Sequence, residues 1–154
     1  MAKVHYLTVQ DVIWINLQVS HKVNHFQFAR LEEATFCQYA SGGQPTFETQ
    51  AARLISGLMR LHPFSAANDA TALVSCEAFL NLNGLELTIN DDLAPRWIGA
   101  VIDGQKTANE AVNGNTKPVE GEFIGDVRKA IQSALKKFEC TVEQLVEQGS
   151  RLVL

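Results

Sequence analysis

Two long apolar runs separated by a short link constrain this chain most strongly. In residues 47–61 (FETQAARLISGLMRL) the apolar side chains recur at helical spacing over about four turns, and the run ends before Pro63. A second run occupies residues 68–82, and the Asn-Gly pair after it is typical of a left-handed helix end. The sequence therefore predicts two long helices that face each other across a tight loop, with His62 at the end of the first.

The N-terminal part predicts two shorter helices and a break. Thr8 and Asp11 resemble a capping box that opens a helix over residues 9–19. Residues 31–39 (LEEATFCQY) favour a second helix. Its inward side is expected to comprise Leu31, Ala34 and either Phe36 or Cys37. Turn-forming residues then interrupt the chain at Ser41, Gly42, Gly43 and Pro45.

After the central pair of helices, the chain predicts an extended link and another helix. Leu85, Leu87 and Ile89 alternate as in an edge strand, and the helix that follows ends at Ile102, before Asp103 and Gly104. These patterns together predict an all-α fold of about six helices with little strand.

The C-terminal part is separated by a change of composition. Residues 113–122 (NGNTKPVEGE) are rich in Gly, Asn and Pro, and this composition predicts a linker. We therefore expect a domain of residues 1–112, this linker, and a C-terminal helical extension of residues 123–154.

The C-terminal extension carries its own helical pattern. An apolar stripe in residues 127–138 predicts one helix, and Thr141 with Gln144 predicts the start of another before Gly149. Such a stripe is more often internal packing, with a contact between copies of the chain as the alternative.

Charge and cysteine content exclude several classes of protein. The 154 residues carry 13 Lys and Arg against 17 Asp and Glu, a net charge of -4, which argues against a nucleic-acid-binding protein. Cys37, Cys76 and Cys140 have no CxxC spacing and fit a reducing compartment. No apolar run has the length of a signal peptide or a membrane span. We therefore expect a cytoplasmic protein with neither nucleic acid nor membrane as a partner.

Histidine spacing gives only a weak metal signal. His21 and His25 lie four residues apart, as zinc ligands on a helix can, but no Glu follows His21 as in HExxH and no third ligand is evident. We predict that both side chains are exposed to solvent and that the chain has no metal site.

The link between the central helices resembles the motif of the Fic/Doc (death-on-curing) family. The family pattern is H-x-F-x-[D/E]-G-N-[G/K]-R, and this chain reads HPFSAANDA, with His62, Phe64 and Asn68 at their family positions. The flanking stretches are similar to the Doc branch, both before the first helix (YLT) and at the end of the second central helix (FLNLNG). The resemblance covers residues 5–112.

This resemblance implies a Fic-like helical domain whose loop binds the phosphates of ATP, with Mg²⁺ if the protein is active. His62 would be the catalytic residue, a general base that takes the proton of a protein hydroxyl. Backbone N–H groups at the start of a helix would bind the anion. The implied nucleotide-binding or anion-binding set is Phe64, Ala66, Ala67, Asn68 and Asp69. Asn68 would orient the loop or act as a helix N-cap, and the cap is our preferred interpretation.

The loop departs from the family pattern at its charged positions. Ala66 replaces the acidic residue that holds magnesium in the family, and Ala67 replaces the family's glycine. Asp69 and Ala70 replace the basic pair that binds phosphate. Because phosphoryl transfer depends on positioning and on charge stabilisation, these changes predict loss of the family's usual activity.

Three functions are compatible with these observations. The first is a Doc-like relative of a toxin family that works by binding, with an antitoxin-like protein as a partner. The second is an active transferase that moves AMP or phosphate from ATP to the hydroxyl of a protein substrate, with His62 as the base. The third is an oligomeric interaction module in which the C-terminal helix mediates self-association.

Overall fold

The chain folds into helices with one small sheet in the computed structural model, which describes residues 4–39, 46–121 and 124–152. The helices of these residues are α1 (Val9–Ser20), α2 (Phe28–Phe36), α3 (Phe47–Leu61), α4 (Asn68–Leu82), α5 (Ala94–Ile102), α6 (Ala108–Val112), α7 (Val127–Lys137) and α8 (Glu139–Leu152). Strands β1 (Leu85–Leu87) and β2 (Thr116–Pro118) pair antiparallel, with Glu86 opposite Lys117. The predicted all-α fold is confirmed. Within the described ranges no helix combines the length and apolar character that crossing a membrane requires.

Helix α4 lies at the centre of the fold. Every residue from Ala70 to Leu82 is buried, so this part of the helix has no side that faces solvent. A helix buried on all sides must be surrounded by other elements, and α1, α3, α7 and α8 pack against it. The N-terminus of α4 leaves the core at the loop that follows α3, and this fixes the position of that loop.

Most of the predicted helices are confirmed close to their predicted bounds. The central pair spans residues 47–61 and 68–82 as expected, and α5 ends at Ile102. The capping box that opens α1 is present, because the Thr8 hydroxyl accepts the N–H of Asp11 at 3.1 Å and the Asp11 carboxylate accepts the N–H of Thr8 at 2.8 Å.

The start of helix α2 differs from its prediction, and one of the two alternatives for its inward side is excluded. Helix α2 begins at Phe28, before the predicted start. Leu31 and Ala34 are buried as expected, and of the two further alternatives Phe36 is 68% exposed, whereas Cys37 is half-buried beside Gly57. Phe36 lies five residues after Leu31, a rotation of about 140° around the helix, so it points away from the core. The predicted break at Ser41, Gly42, Gly43 and Pro45 lies outside the described residues.

The C-terminal helices pack on the rest of the described chain. The apolar stripe of α7 is buried against α4, which confirms the prediction of internal packing. Part of the predicted linker forms β2 and pairs with β1. The division of the chain at residues 113–122 stays a prediction.

A buried ion pair connects α7 to α4 and β1. Lys137 Nζ lies 2.9 Å from Glu77 Oε2 and donates a second hydrogen bond to the carbonyl of Leu87 at 2.6 Å. Glu77 also accepts the N–H of Leu87 at 2.9 Å. Burial raises the pKa of the Glu77 carboxyl above its ordinary value, and the Lys137 ammonium only partly offsets this effect.

Helix α8 begins at Glu139, so the predicted start at Thr141 is wrong. The reason is a cap from a distant residue: the Asp91 carboxylate accepts the N–H groups of Cys140 and Thr141, each at 2.9 Å. The Thr141 hydroxyl donates to the same carboxylate at 2.6 Å. Partial burial alone would raise the pKa of Asp91, but these hydrogen bonds outweigh burial and hold the pKa below its ordinary value of 3.8.

We expect Asp91→Ala to lower the free energy of unfolding by about 1–2 kcal/mol at neutral pH, since it removes this cap. A carboxyl whose pKa is lower in the folded than in the unfolded chain stabilises above the unfolded pKa, and the contribution is lost as pH falls through the folded pKa. The difference between wild type and variant should therefore shrink as pH falls below 3.8. Urea denaturation at a series of pH values measures this difference. If the free energy of unfolding of Asp91→Ala stays equally far below that of the wild type at acid pH, the assignment of Asp91 as the cap of α8 is contradicted.

Candidate functional site

The loop of residues 62–67 joins α3 to the buried helix α4. Helix α3 ends at Leu61, because a residue that precedes proline is disfavoured in the helical conformation. His62 instead adopts the left-handed conformation, with φ 46° and ψ 59°. Its side chain is exposed to solvent at the C-terminal end of α3, where the sequence predicted it.

A short extended segment, residues 25–27, holds the loop from one side. The Gln27 N–H donates to the carbonyl of Pro63 at 2.9 Å, and the Ser65 N–H donates to the carbonyl of His25 at 2.8 Å. Between these bonds the rings of Phe26 and Phe64 meet edge to face, with centroids 6.0 Å apart. The side chain of Phe64 is therefore buried in the core beside Phe26.

Asn68 connects the two ends of the loop. Its side-chain carbonyl accepts the N–H of Phe64 at 3.0 Å, and its amide donates to the carbonyl of Phe64 at 2.8 Å. The N-cap position of α4 is occupied by Ala67, and no side chain caps this helix. The preferred interpretation of Asn68 as an N-cap is therefore wrong, because its amide is paired with the backbone inside the loop.

Three buried polar residues that the sequence patterns do not single out hold the loop in place. Asn16 of α1 donates to the carbonyl of Ala66 at 3.0 Å and to the Thr71 hydroxyl at 3.1 Å, and it accepts the amide of Asn24 at 2.9 Å. The Thr71 hydroxyl donates in turn to the carbonyl of Ala67 at 2.7 Å. A signal existed, since an asparagine within the apolar stretch VIWINLQV needs partners once it is buried.

Ala67 adopts a backbone conformation that favours glycine, with φ 64° and ψ 30°. We expect Ala67→Gly to raise the free energy of unfolding by about 0.5–1 kcal/mol, because relief of the Cβ strain exceeds the entropy cost of glycine. Thermal denaturation measures this gain. Ala66→Gly is the matched control, since Ala66 has no positive φ, and it should destabilise. Equal effects of the two substitutions would contradict a strained Ala67.

The first turn of α4 brings a carboxylate close to an imidazole. Asp69 is half-buried in this turn. Burial raises the pKa of the Asp69 carboxyl, and the nearby His62 partly offsets this effect. In the described part of the chain, the N–H groups of Ala67, Asn68 and Asp69 have no hydrogen-bond acceptor. The site therefore combines a histidine, a carboxylate and the positive end of a helix dipole.

The alanines of the predicted site bring no charge to the loop. Ala66 and Ala67 are half-buried, and their carbonyls accept hydrogen bonds from Asn16 and Thr71. Ala70 is 1% exposed, so its side chain faces the core. A larger side chain at that position would have to displace packed neighbours.

The two spaced histidines and the two cavities are separate candidate sites. His21 and His25 are exposed, as predicted. Among the described residues no three His, Cys, Asp or Glu side chains are close enough together to hold a metal ion. One cavity of about 1120 Å³ lies between α2 and α3, and another of about 740 Å³ lies between α1, α7 and α8. No residue of the 62–70 segment lines either of these cavities.

Residues 6–80 match the model of the Fic/DOC family. The matched segment contains helices α1, α2 and α3, the loop, and most of α4. No curated protein and no solved structure matches the chain. The match thus covers the loop and the helices that position it, and it ends before β1 and the C-terminal helices.

Proposed function

We propose, from the premise that residues 6–80 belong to the Fic/DOC family, that this protein acts by binding a partner and not by efficient transfer of nucleotide or phosphate. It would then be a Doc-like relative of a toxin family, with an antitoxin-like protein as the partner. The observation that carries this proposal is the Asp69 carboxylate in the first turn of α4.

Asp69 opposes the binding of a nucleotide at the start of α4. Unpaired N–H groups and the positive end of the helix dipole attract an anion, but the chain's own carboxylate already lies in that turn. A phosphate charge at about 4 Å from the carboxylate would meet a repulsion of about 1 kcal/mol in water, and more once water is excluded. The Asp69 carboxylate therefore lowers the affinity of the loop for an external phosphate.

The loop does not fit the Mg²⁺ and ATP that family membership implies. Mg²⁺ is bound by carboxylate and phosphate oxygens, and position 66 carries a methyl group in place of the family's carboxylate. Asp69 is the carboxylate that remains in residues 62–70, and it lies three residues after position 66, in the first turn of α4. Ala70 faces the core and supplies no cation to a phosphate.

An active transferase is the second candidate, because His62 is exposed and unpaired N–H groups lie close to it in the sequence. In this alternative His62 takes the proton of a hydroxyl on a protein substrate. The N–H groups of Ala67, Asn68 and Asp69 would then stabilise the charge of the transferred group.

Labelled ATP separates the two candidates. The purified full chain is incubated in a cell extract with Mg²⁺ and with ATP labelled in the α- or the γ-phosphate, beside the variant His62→Asn. Asparagine tolerates the left-handed conformation of this position, so the loop is retained. We expect no labelled protein that depends on His62. Labelling that disappears in His62→Asn would overturn the binding proposal and support the transferase.

Reversing the charge of Asp69 tests the physical reason for the proposal. We expect Asp69→Lys combined with Ala66→Asp to bind Mg²⁺ and ATP about tenfold tighter than wild type or better, measured by isothermal titration calorimetry. Asp103→Lys is the control, since Asp103 is an exposed carboxylate at the end of α5. Position 70 keeps its alanine, because an arginine there would be buried. Equal ATP binding by wild type and both variants would contradict the assigned role of Asp69.

A further inference from the structure

The groove between α2 and α3 carries opposite charges on its two walls. Its volume is about 1120 Å³. Glu32 and Glu33 lie on the α2 wall, and Arg60 lies on the α3 wall. All three side chains are exposed, and none forms an ion pair with another described residue. The groove therefore offers unpaired charge of both signs to whatever covers it.

The walls of the groove also differ in the size of their side chains. Phe36 on the α2 wall is 68% exposed, and its ring centroid lies 5.0 Å from that of Tyr39, which is 39% exposed. The α3 wall opposite carries the smaller side chains of Thr49, Ala52 and Ser56 between its two arginines, Arg53 and Arg60, and residues 107–109 at the start of α6 also line the groove. One wall therefore projects aromatic rings, and the other has room to receive them.

The two helices run antiparallel, and this fixes which groups lie at the same level. Gln50, early in α3, donates to the carbonyl of Gln38, just beyond α2, at 3.1 Å. Farther along α3, Gly57 lies against Cys37 and Ala34. Ser56 is therefore level with the C-terminal end of α2, where Phe36 lies. Arg60, about one turn later, is level with Glu32 and Glu33.

We propose that this groove is a dimer interface, covered by the same groove of a second copy of the chain. A two-fold axis along the groove places the α2 wall of one copy over the α3 wall of the other at the same level. Glu32 and Glu33 then face Arg60 of the other copy, and symmetry repeats this contact. Phe36 enters the space above the small side chains of α3. The charges of the two walls and the sizes of their side chains thus both fit a second copy of the chain.

This inference does not rest on the proposed function, since no residue of the 62–70 loop lines the groove. The groove is also a different surface from the C-terminal stripe considered for self-association, because the α7 stripe is buried within the chain.

Sedimentation equilibrium of the full chain at micromolar concentrations tests the proposal. We expect a dimer for wild type. Phe36→Ser and Arg60→Glu should each raise the dimer dissociation constant by about tenfold or more. Phe28→Ser is the matched control, because Phe28 is a 59% exposed phenylalanine of the same helix that does not line the groove. It should leave the dissociation constant unchanged.

Exchanging the charges of Glu33 and Arg60 tests the proposed contact between them directly. Glu33→Arg combined with Arg60→Glu should restore the dimer that Arg60→Glu loses, since the opposed charges are again opposite in sign. Circular dichroism confirms that each variant is folded. A monomeric wild type, an equal loss in Phe28→Ser and Phe36→Ser, or a charge exchange without rescue would overturn the proposal. A partner protein or a peptide would then be the occupant to seek.

Discussion

Glu77→Ala should lower the free energy of unfolding by about 3–5 kcal/mol at neutral pH, because the partly buried Lys137 ammonium then keeps only the more distant and more exposed Glu86 carboxylate. Glu77 is 2% exposed, and the Lys137 side chain is 22% exposed. The substitution also removes the acceptor of the Leu87 N–H, which leaves a buried donor unpaired. Urea denaturation monitored by circular dichroism measures the change.

Glu86→Ala is the control for Glu77. Glu86 lies 3.6 Å from the same Lys137 Nζ, but its side chain is 24% exposed. A more exposed pair of this kind contributes about 0–1 kcal/mol. Comparable losses in the two variants would contradict a special role for the buried carboxylate.

Lys137→Met should destabilise in a manner that depends on pH. Burial already raises the pKa of Glu77, and removal of the ammonium leaves this effect unopposed by its main counter-charge. A group with a raised folded pKa gives its full stability below the unfolded pKa, and stability falls as pH rises through the folded pKa. The deficit of Lys137→Met should therefore be largest at neutral and higher pH and should shrink toward the ordinary pKa of 4.5.

Asn16→Leu should have the second large effect, a loss of about 2–4 kcal/mol. Leucine has the same number and branching of side-chain heavy atoms as asparagine, but it cannot donate to the Ala66 carbonyl and the Thr71 hydroxyl or accept the amide of Asn24. Three polar partners then lose a hydrogen bond at once. Hydrogen exchange should show faster exchange of the loop amides, Ser65 among them, than of the amides in the middle of α4.

Asn113→Leu is the control for Asn16. Its side chain is exposed and bonds only within its own turn of α6, to Asn109. We expect a change within about 0.5 kcal/mol. Unchanged exchange of the loop amides in Asn16→Leu would show that the loop does not depend on α1.

Much of the fold follows from short-range patterns in the sequence. The bounds of α3 and α4 could be predicted because a proline, an Asn-Gly pair and helical spacing are local signals. The start of α1 could be predicted for the same reason, since both members of its capping box lie within one turn. The resemblance of the HPFSAANDA segment to the Fic/Doc motif also led to the family that residues 6–80 match.

The long-range polar contacts could not be predicted, because their partners are far apart in the chain. Asp91 caps α8 across 49 residues, and Lys137 reaches Glu77 across 60. Nothing local marks Asp91 as a cap for Cys140, so the start of α8 was misplaced. Asn68 has a residue type that favours the N-cap, but it lies one position after the N-cap itself, so residue type alone predicts the wrong role.

The pairing of Phe64 with Phe26 changes what the motif of this chain means. Two of the three residues that agree with the family pattern have structural roles. Phe64 packs in the core beside Phe26, and the Asn68 side chain forms two hydrogen bonds with the backbone of the loop. The positions that differ from the pattern include those whose side chains would meet a ligand. Residues of a family signature can therefore be retained for their structural role, whether or not the chemistry is retained. Searches that score such signatures detect common descent more readily than common activity.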